Sequence, residues 1–233
     1  MIEVKALRSS SKGNCYHITD GTTSLLIECG IKLNEIQKGI GFKLSEVQGC
    51  LISHEHKDHS LAVNELLKRG INCYTSSGTI EELDVDHHRL LPVKSKLPFK
   101  IGTWSIVPFD VQHDVSEPFG FLLVNKAGDK LLFATDTYYI KYRFFGLTHI
   151  MIEANYSKEI LDRKIEQGHV PALMKDRLMR SHFSLENVKD FFKVNDMSKV
   201  QEIWLLHLSD SNSDASAFKR EIAQITGKVI HVP

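Results

Sequence analysis

The chain has 233 residues, 42% of them hydrophobic and 25% charged, and its 29 Lys and Arg balance 29 Asp and Glu. Those fractions exclude a disordered or fibrous protein, and the zero formal charge argues against electrostatic nucleic-acid binding over the whole surface. The length fits a single domain, 1–233, large enough to bury a substantial core; the compositional outlier is histidine, with 12 residues.

The opening residues lack a basic stretch followed by an apolar one, and no apolar run approaches the length of a bilayer span. The expectation is therefore a cytoplasmic protein without membrane contact. Alternating apolar residues predict strands over 3–7, 15–19 and 24–29, with Asp20-Gly21 as a turn. A short helix over 33–40 stops at Gly41, a buried strand covers 50–53, and a helix over 61–68 ends at Arg69-Gly70. Strands over 104–111 and 119–125 follow, and Ala127-Gly128-Asp129 turns the chain into another over 130–134. The second half alternates. A strand over 149–153 precedes a polar, basic helical region over 157–180, and Ser184 caps a helix carrying Val188, Phe191 and Phe192. A strand over 203–206, an amphipathic helix over 215–225 stopped by Gly227, and a strand over 228–232 close the chain. This order predicts an α/β protein with two sheets between helices. Cys15, Cys29, Cys50 and Cys73 are widely spaced and form no C-x-x-C pair, which predicts small buried hydrophobes in a reducing compartment.

The chemistry concentrates where Leu51-Ile52-Ser53 runs into His54-Glu55-His56-Lys57-Asp58-His59. Imidazole nitrogens and carboxylate oxygens in this H-x-H-x-D-H pattern suit Zn, Mn or Fe(II). In extended backbone His54 and His56 point the same way, while Asp58 and His59, at the turn into the next helix, can reach a second ion. A hydrolytic metal site needs further ligands. His113, Asp136 and His207 each stand as a lone ligand type at the C-terminal end of an apolar run, where α/β proteins build sites.

Together these residues resemble the metallo-β-lactamase fold superfamily. The resemblance implies an αββα sandwich, two mixed β-sheets flanked by helices, with a dinuclear centre along one edge. It implies that His54, His56 and His113 hold one divalent ion, that Asp58, His59 and His207 hold the other, and that Asp136 bridges them. Zn or Mn fits this set, and Fe is compatible.

Within the superfamily, Arg8-Ser9-Ser10-Ser11-Lys12-Gly13-Asn14-Cys15 is similar to the Ser-rich entry loop of the YycJ (WalJ) branch, in which Ser11 and Asn14 would receive substrate phosphate oxygens. The segment around Glu153 and the stretch Ser181-His182-Phe183-Ser184 resemble motifs of tRNA 3′-processing nucleases, where a Glu orients a His as general acid. His207-Leu208-Ser209 also resembles the YycJ branch, and the interval from Asp136 to His207 leaves no room for the β-CASP domain of RNase J-type nucleases. The resemblance thus implies a metal-dependent exonuclease of single-stranded DNA or RNA. A hydroxide generated between the ions would be oriented by Asp58, and His182, held by Glu153, would protonate the leaving oxygen. The competing expectation is a small-molecule hydrolase (a lactonase, thioesterase or cyclic-nucleotide phosphodiesterase), favoured by neutral charge and the lack of an aromatic stacking motif. A noncatalytic binding module would have no use for seven metal-ligand residues. The basic 157–180 segment reads either as a solvated helical face or as an arm guiding a phosphodiester strand.

Overall fold

The computed structural model describes residues 1–233, apart from the side chain of residue 174. It contains two compact units, residues 1–110 with 115–130 and residues 111–114 with 131–233.

The first unit opens with an antiparallel hairpin, β1 (Glu3–Ser10) and β2 (Gly13–Thr19), turning at Ser11-Lys12. The Asp20 carboxylate accepts from the backbone N–H groups of Thr22 and Thr23 at 3.0 and 2.8 Å, which closes the next turn into β3 (Ser24–Ile27). Helix α1 (Leu33–Gly39) buries Leu33 and Ile36 and stops before Gly41, whose φ of +64° suits a residue without a Cβ. A single 3-10 turn leads into β4 (Val47–Leu51). After it come α2 (Lys57–Ser60), α3 (Val63–Lys68), β5 (Cys73–Thr75), α4 (Ser77–Leu83) and β6 (Leu90–Pro92). These strands form a six-stranded sheet in sequential order, antiparallel as far as β3 and parallel beyond it. A meander of β7 (Phe99–Ile101), β8 (Trp104–Asp110) and β9 (Phe119–Val124) completes the unit.

The second unit carries β10 (Lys130–Ala134), β11 (His149–Glu153), α5 (Lys158–Glu166), α6 (Leu173–Ser181), α7 (Leu185–Val194), β12 (Glu202–Leu206), α8 (Ala215–Thr226) and β13 (Val229–His231). Its strands pair in parallel, and Leu131 to Ala134 are wholly buried, as expected of strands covered on both faces. Within the second unit the strand order is β13-β12-β11-β10, and within the first the meander runs β9-β8-β7. Two mixed β-sheets flanked by helices are the expected fold class.

Several elements depart from expectation. The helix expected over 61–68 is α3, which starts at Val63 because the Ala62 N–H bonds to the Cys29 carbonyl at 2.9 Å, and the short α2 precedes it. The 157–180 region divides into α5 and α6 around Gly168, at φ +73°, and Pro171. The Ser-rich stretch 8–15 is a tight hairpin that turns at Ser11-Lys12, not an open loop. All four cysteines are free and buried. Among the described residues, no helix is long and apolar enough to cross a membrane.

Candidate metal centre

In the first unit, buried β4 delivers the chain to His54, and α2 begins at the ligand-rich stretch with His56 as its N-cap residue. The backbone of 58–59 is clamped by the segment after β3. The Cys29 N–H bonds to the His59 carbonyl at 2.8 Å, and a Cβ on Gly30 would fall 1.7 Å from the Asp58 carbonyl oxygen, so only glycine fits there. Ser53 Oγ lies 2.8 Å from His54 Nδ1, which fixes the ring and aims Nε2 at His56 Nδ1, 3.1 Å away. Two imidazole nitrogens facing one another at that distance are a donor pair for one cation.

His59 is fully buried between carboxylates, with Nε2 3.3 Å from Asp58 Oδ2 and Nδ1 3.5 Å from Glu28 Oε2. Burial pushes the Glu28 carboxyl above its usual range, and its bonds to His59 and the Ser53 backbone offset this only in part. A carboxylate behind a ligating histidine sets the ring's orientation and basicity. Asn14 is also wholly buried. Its amide nitrogen reaches His59 Nε2 at 3.2 Å and Asp58 Oδ2 at 3.4 Å, and its oxygen accepts from Tyr16 at 3.2 Å. Ser11, by contrast, is exposed at the hairpin turn, where it lines a cavity with Lys12, Gly30, Lys57, Asp58 and Leu61.

In the second unit, His113, Asp136, Glu153, His182 and His207 come together. His113 Nδ1 donates to the Ser181 carbonyl at 3.0 Å, turning Nε2 toward Asp136 Oδ2, 3.8 Å away. Burial lowers the His113 pKa, and the nearby carboxylates offset this only in part, so the ring stays neutral and able to ligate. His207 Nδ1 lies 2.9 Å from Asp136 Oδ1 and 3.0 Å from Glu153 Oε1. Asp136 and His207 sit at φ +43° and +52°, left-handed backbone that L side chains adopt at a cost of about 1–3 kcal/mol and that collects at functional sites.

Glu153, at the end of β11, is the hub of this unit. Its Oε1 is 2.6 Å from His182 Nδ1, and its Oε2 accepts from the N–H groups of Thr137 at 3.1 Å and Phe183 at 3.0 Å. Burial alone would raise the Glu153 carboxyl, but the His182 charge overrides it and holds the carboxyl below its usual range. Burial alone would lower His182; the Glu153 charge and hydrogen bond overcome that and hold the imidazolium above its usual pKa. One donor atom from each of Asp136, Glu153, His182 and His207 lies within 4.8 Å of the others, which sets the His182–Glu153 pair directly against Asp136 and His207.

Sequence reasoning overlooked Glu28, Gly30 and Asn155, whose amide nitrogen donates to the His207 carbonyl at 2.9 Å. Glu28 carried a usable signal: it follows the apolar β3 as Asp136 follows β10, a carboxylate at the end of a buried run.

Residues 23–187 match the family model described as the Beta-lactamase superfamily domain. The chain belongs to the β-lactamase superfamily. This superfamily member is 26% identical over 224 residues to a Streptococcus pneumoniae protein named exodeoxyribonuclease WalJ, covering 89% of this chain and 81% of that one. It is 24% identical over 242 residues to a Bacillus anthracis protein named exodeoxyribonuclease YycJ, covering 96% and 89%. Its fold is similar to that of the Bacillus subtilis metallo-β-lactamase fold protein YhfI, with a TM-score of 0.77 at 15% identity over 100% of this chain and 95% of the other. It is also similar to that of the short form of human tRNase Z, at 0.65 and 15% over 100% and 96%. The chain is thus a metallo-β-lactamase-fold hydrolase, and the fold implies divalent metal ions.

Proposed function

We propose that the chain is a cytoplasmic exonuclease, one hydrolase domain spanning 1–233, that cleaves nucleic-acid phosphodiesters with two divalent ions. His54, His56 and His113 would hold one ion, Asp58, His59 and His207 the other, with Asp136 shared. This assignment is supported by the donor chemistry of the two ligand sets and by relatives named exodeoxyribonucleases. The free, buried cysteines fit a reducing compartment.

When bound, such ions supply hydroxide at neutral pH and neutralise charge on phosphate oxygens. The chain's own residues do the rest. Asp58 orients the attacking oxygen, Glu28 and Asn14 hold His59 and Asp58 in place, and Glu153 keeps His182 protonated and aimed. The observation that carries the reading is the 2.6 Å pair of His182 Nδ1 and Glu153 Oε1 in contact with His207 and the Asp136 group. A sugar alkoxide is a poor leaving group and needs a proton from a positioned acid, whereas the thiolate of a thioester leaves without one.

The test is a substrate panel on metal-reconstituted protein. A generic phosphodiester, a lactone, a thioester and 5′-labelled single- and double-stranded nucleic acids are compared. Progressive shortening of the labelled strands is the expected result; hydrolysis confined to the lactone or thioester would reject the nuclease reading.

A further inference from the structure

We propose that a cavity between residues 138–143 and helix α7 is a subsite for one unpaired nucleotide of the substrate strand, with its base stacked on tyrosine and its phosphate met by Lys141 and Arg143. The inference rests on the nuclease reading and deepens it. The cavity measures about 360 Å³ and is lined by Tyr138, Tyr139, Lys141, Tyr142, Arg143 and Phe183, with Asn187 and Asp190 of α7 opposite. That volume lies at the low end of small-ligand sites, roughly 300–1,000 Å³, and suits one nucleotide better than several.

Three of the chain's six tyrosines stand in the five residues 138–142. Tyr139 is 56% exposed, although burial of its ring would be favourable. Aromatic faces interleaved with cations form the surface that unpaired bases and their phosphates recognise, because every base has a π-face whatever its identity. Lys141 Nζ lies 5.3 Å from the Tyr142 ring centroid, so ring and charge are already juxtaposed. Asp190 is the opposing charge on the rim, and it is paired with Lys193 at 2.8 Å.

The cavity is tied to the candidate acid. Thr137, which opens the tyrosine stretch, and Phe183, which lines the cavity beside His182, donate their N–H groups to the same Glu153 oxygen at 3.1 and 3.0 Å. Asn187 Nδ2 donates to the Tyr138 carbonyl at 3.3 Å, and the Phe144 N–H to Asn195 Oδ1 at 2.7 Å, so both ends of the stretch are pinned to α7 and its end. A nucleotide held here would be adjacent to the one whose bond is cleaved. A cavity of this volume takes one base but not a base pair, so the subsite selects single-stranded ends.

The test uses metal-loaded protein and a short single-stranded oligonucleotide with phosphorothioate linkages, which resist cleavage, carrying 2-aminopurine at successive positions. Fluorescence should be quenched by stacking at one position near an end. Tyr139→Ala and Tyr142→Ala should abolish that quench and weaken binding by about 5- to 100-fold, while Tyr139→Phe retains both. Hydrolysis of methyl p-nitrophenyl phosphate, which has no base, should stay within twofold of wild type in every variant. Alanine variants that bind and quench like wild type, or blunt duplex bound as tightly as single strand, would overturn the subsite while leaving a nuclease that shortens DNA intact. A wild-type protein that shortens no nucleic acid would instead remove the reading beneath it.

Discussion

His182 and Glu153 form a pair in which each holds the other charged, and that sets how activity should respond to pH. The imidazolium lies above its usual pKa, so the acid form persists to higher pH than for a free histidine and is lost as pH rises through the elevated value. The alkaline limb of kcat should therefore lie above the ordinary histidine range and move toward it in Glu153→Gln. His182→Ala should keep its metal content and lower turnover by about 10²- to 10⁴-fold on strands, with far less loss on an aryl phosphodiester whose leaving group needs no proton. Equal losses on both substrates would remove His182 from the acid role. At this scale the ligand types were legible because metal chemistry restricts them to few residues, and H-x-H-x-D-H is dense. The supporting roles were not: Glu28 was overlooked and Asn14 was read as a phosphate contact, because both act through buried contacts with partners 31 and 45 positions away that local pattern does not encode.

Glycine and strand ends shape the site at the scale of elements. Gly30 admits the Asp58 carbonyl so closely that any side chain must push α2 away. Gly30→Ala should fold with reduced stability and lose metal affinity, read as metal retained after dialysis; full retention would show that the clamp is dispensable. The long strands and α7 were legible from periodicity, since β11 is apolar from Ile150 to Ile152 before Glu153 and Ser184 accepts from the Asn187 N–H at 3.1 Å as the cap. The three-residue strands β5, β6 and β7 were not, because so short a run carries little alternation and these lack a helix stop such as the Gly227 that precedes the equally short β13. The tyrosine stretch 138–142 escaped notice for a related reason. It has no regular structure, and only its anchoring to Glu153 and α7 reveals a cavity.

For the whole molecule, neutral net charge confines attraction for a polyanion to local groups, Lys12 and Lys57 beside Asp58 and Lys141 and Arg143 beside Tyr142. Strand cleavage should therefore fall with added salt only modestly compared with a strongly basic nuclease, and KM should carry the change. Metal should also stabilise the fold, because the ligand sets exist only in the native chain. Free ion at 100 times its Kd contributes about 2.7 kcal/mol. Chelation should accordingly lower Tm by roughly 5–10 °C for each ion removed from a chain of this size, and an unchanged Tm would contradict metal binding by the native state. Everything in the proposed chemistry depends on two ions sharing Asp136, and the direct test is the number of ions bound per chain, by elemental mass spectrometry after reconstitution with Mn or Zn and removal of excess. Shared ligation by Asp136 predicts two per chain for the wild type and a loss of both on replacing Asp136 with alanine. One ion or none in the wild type, or two retained without Asp136, would contradict it.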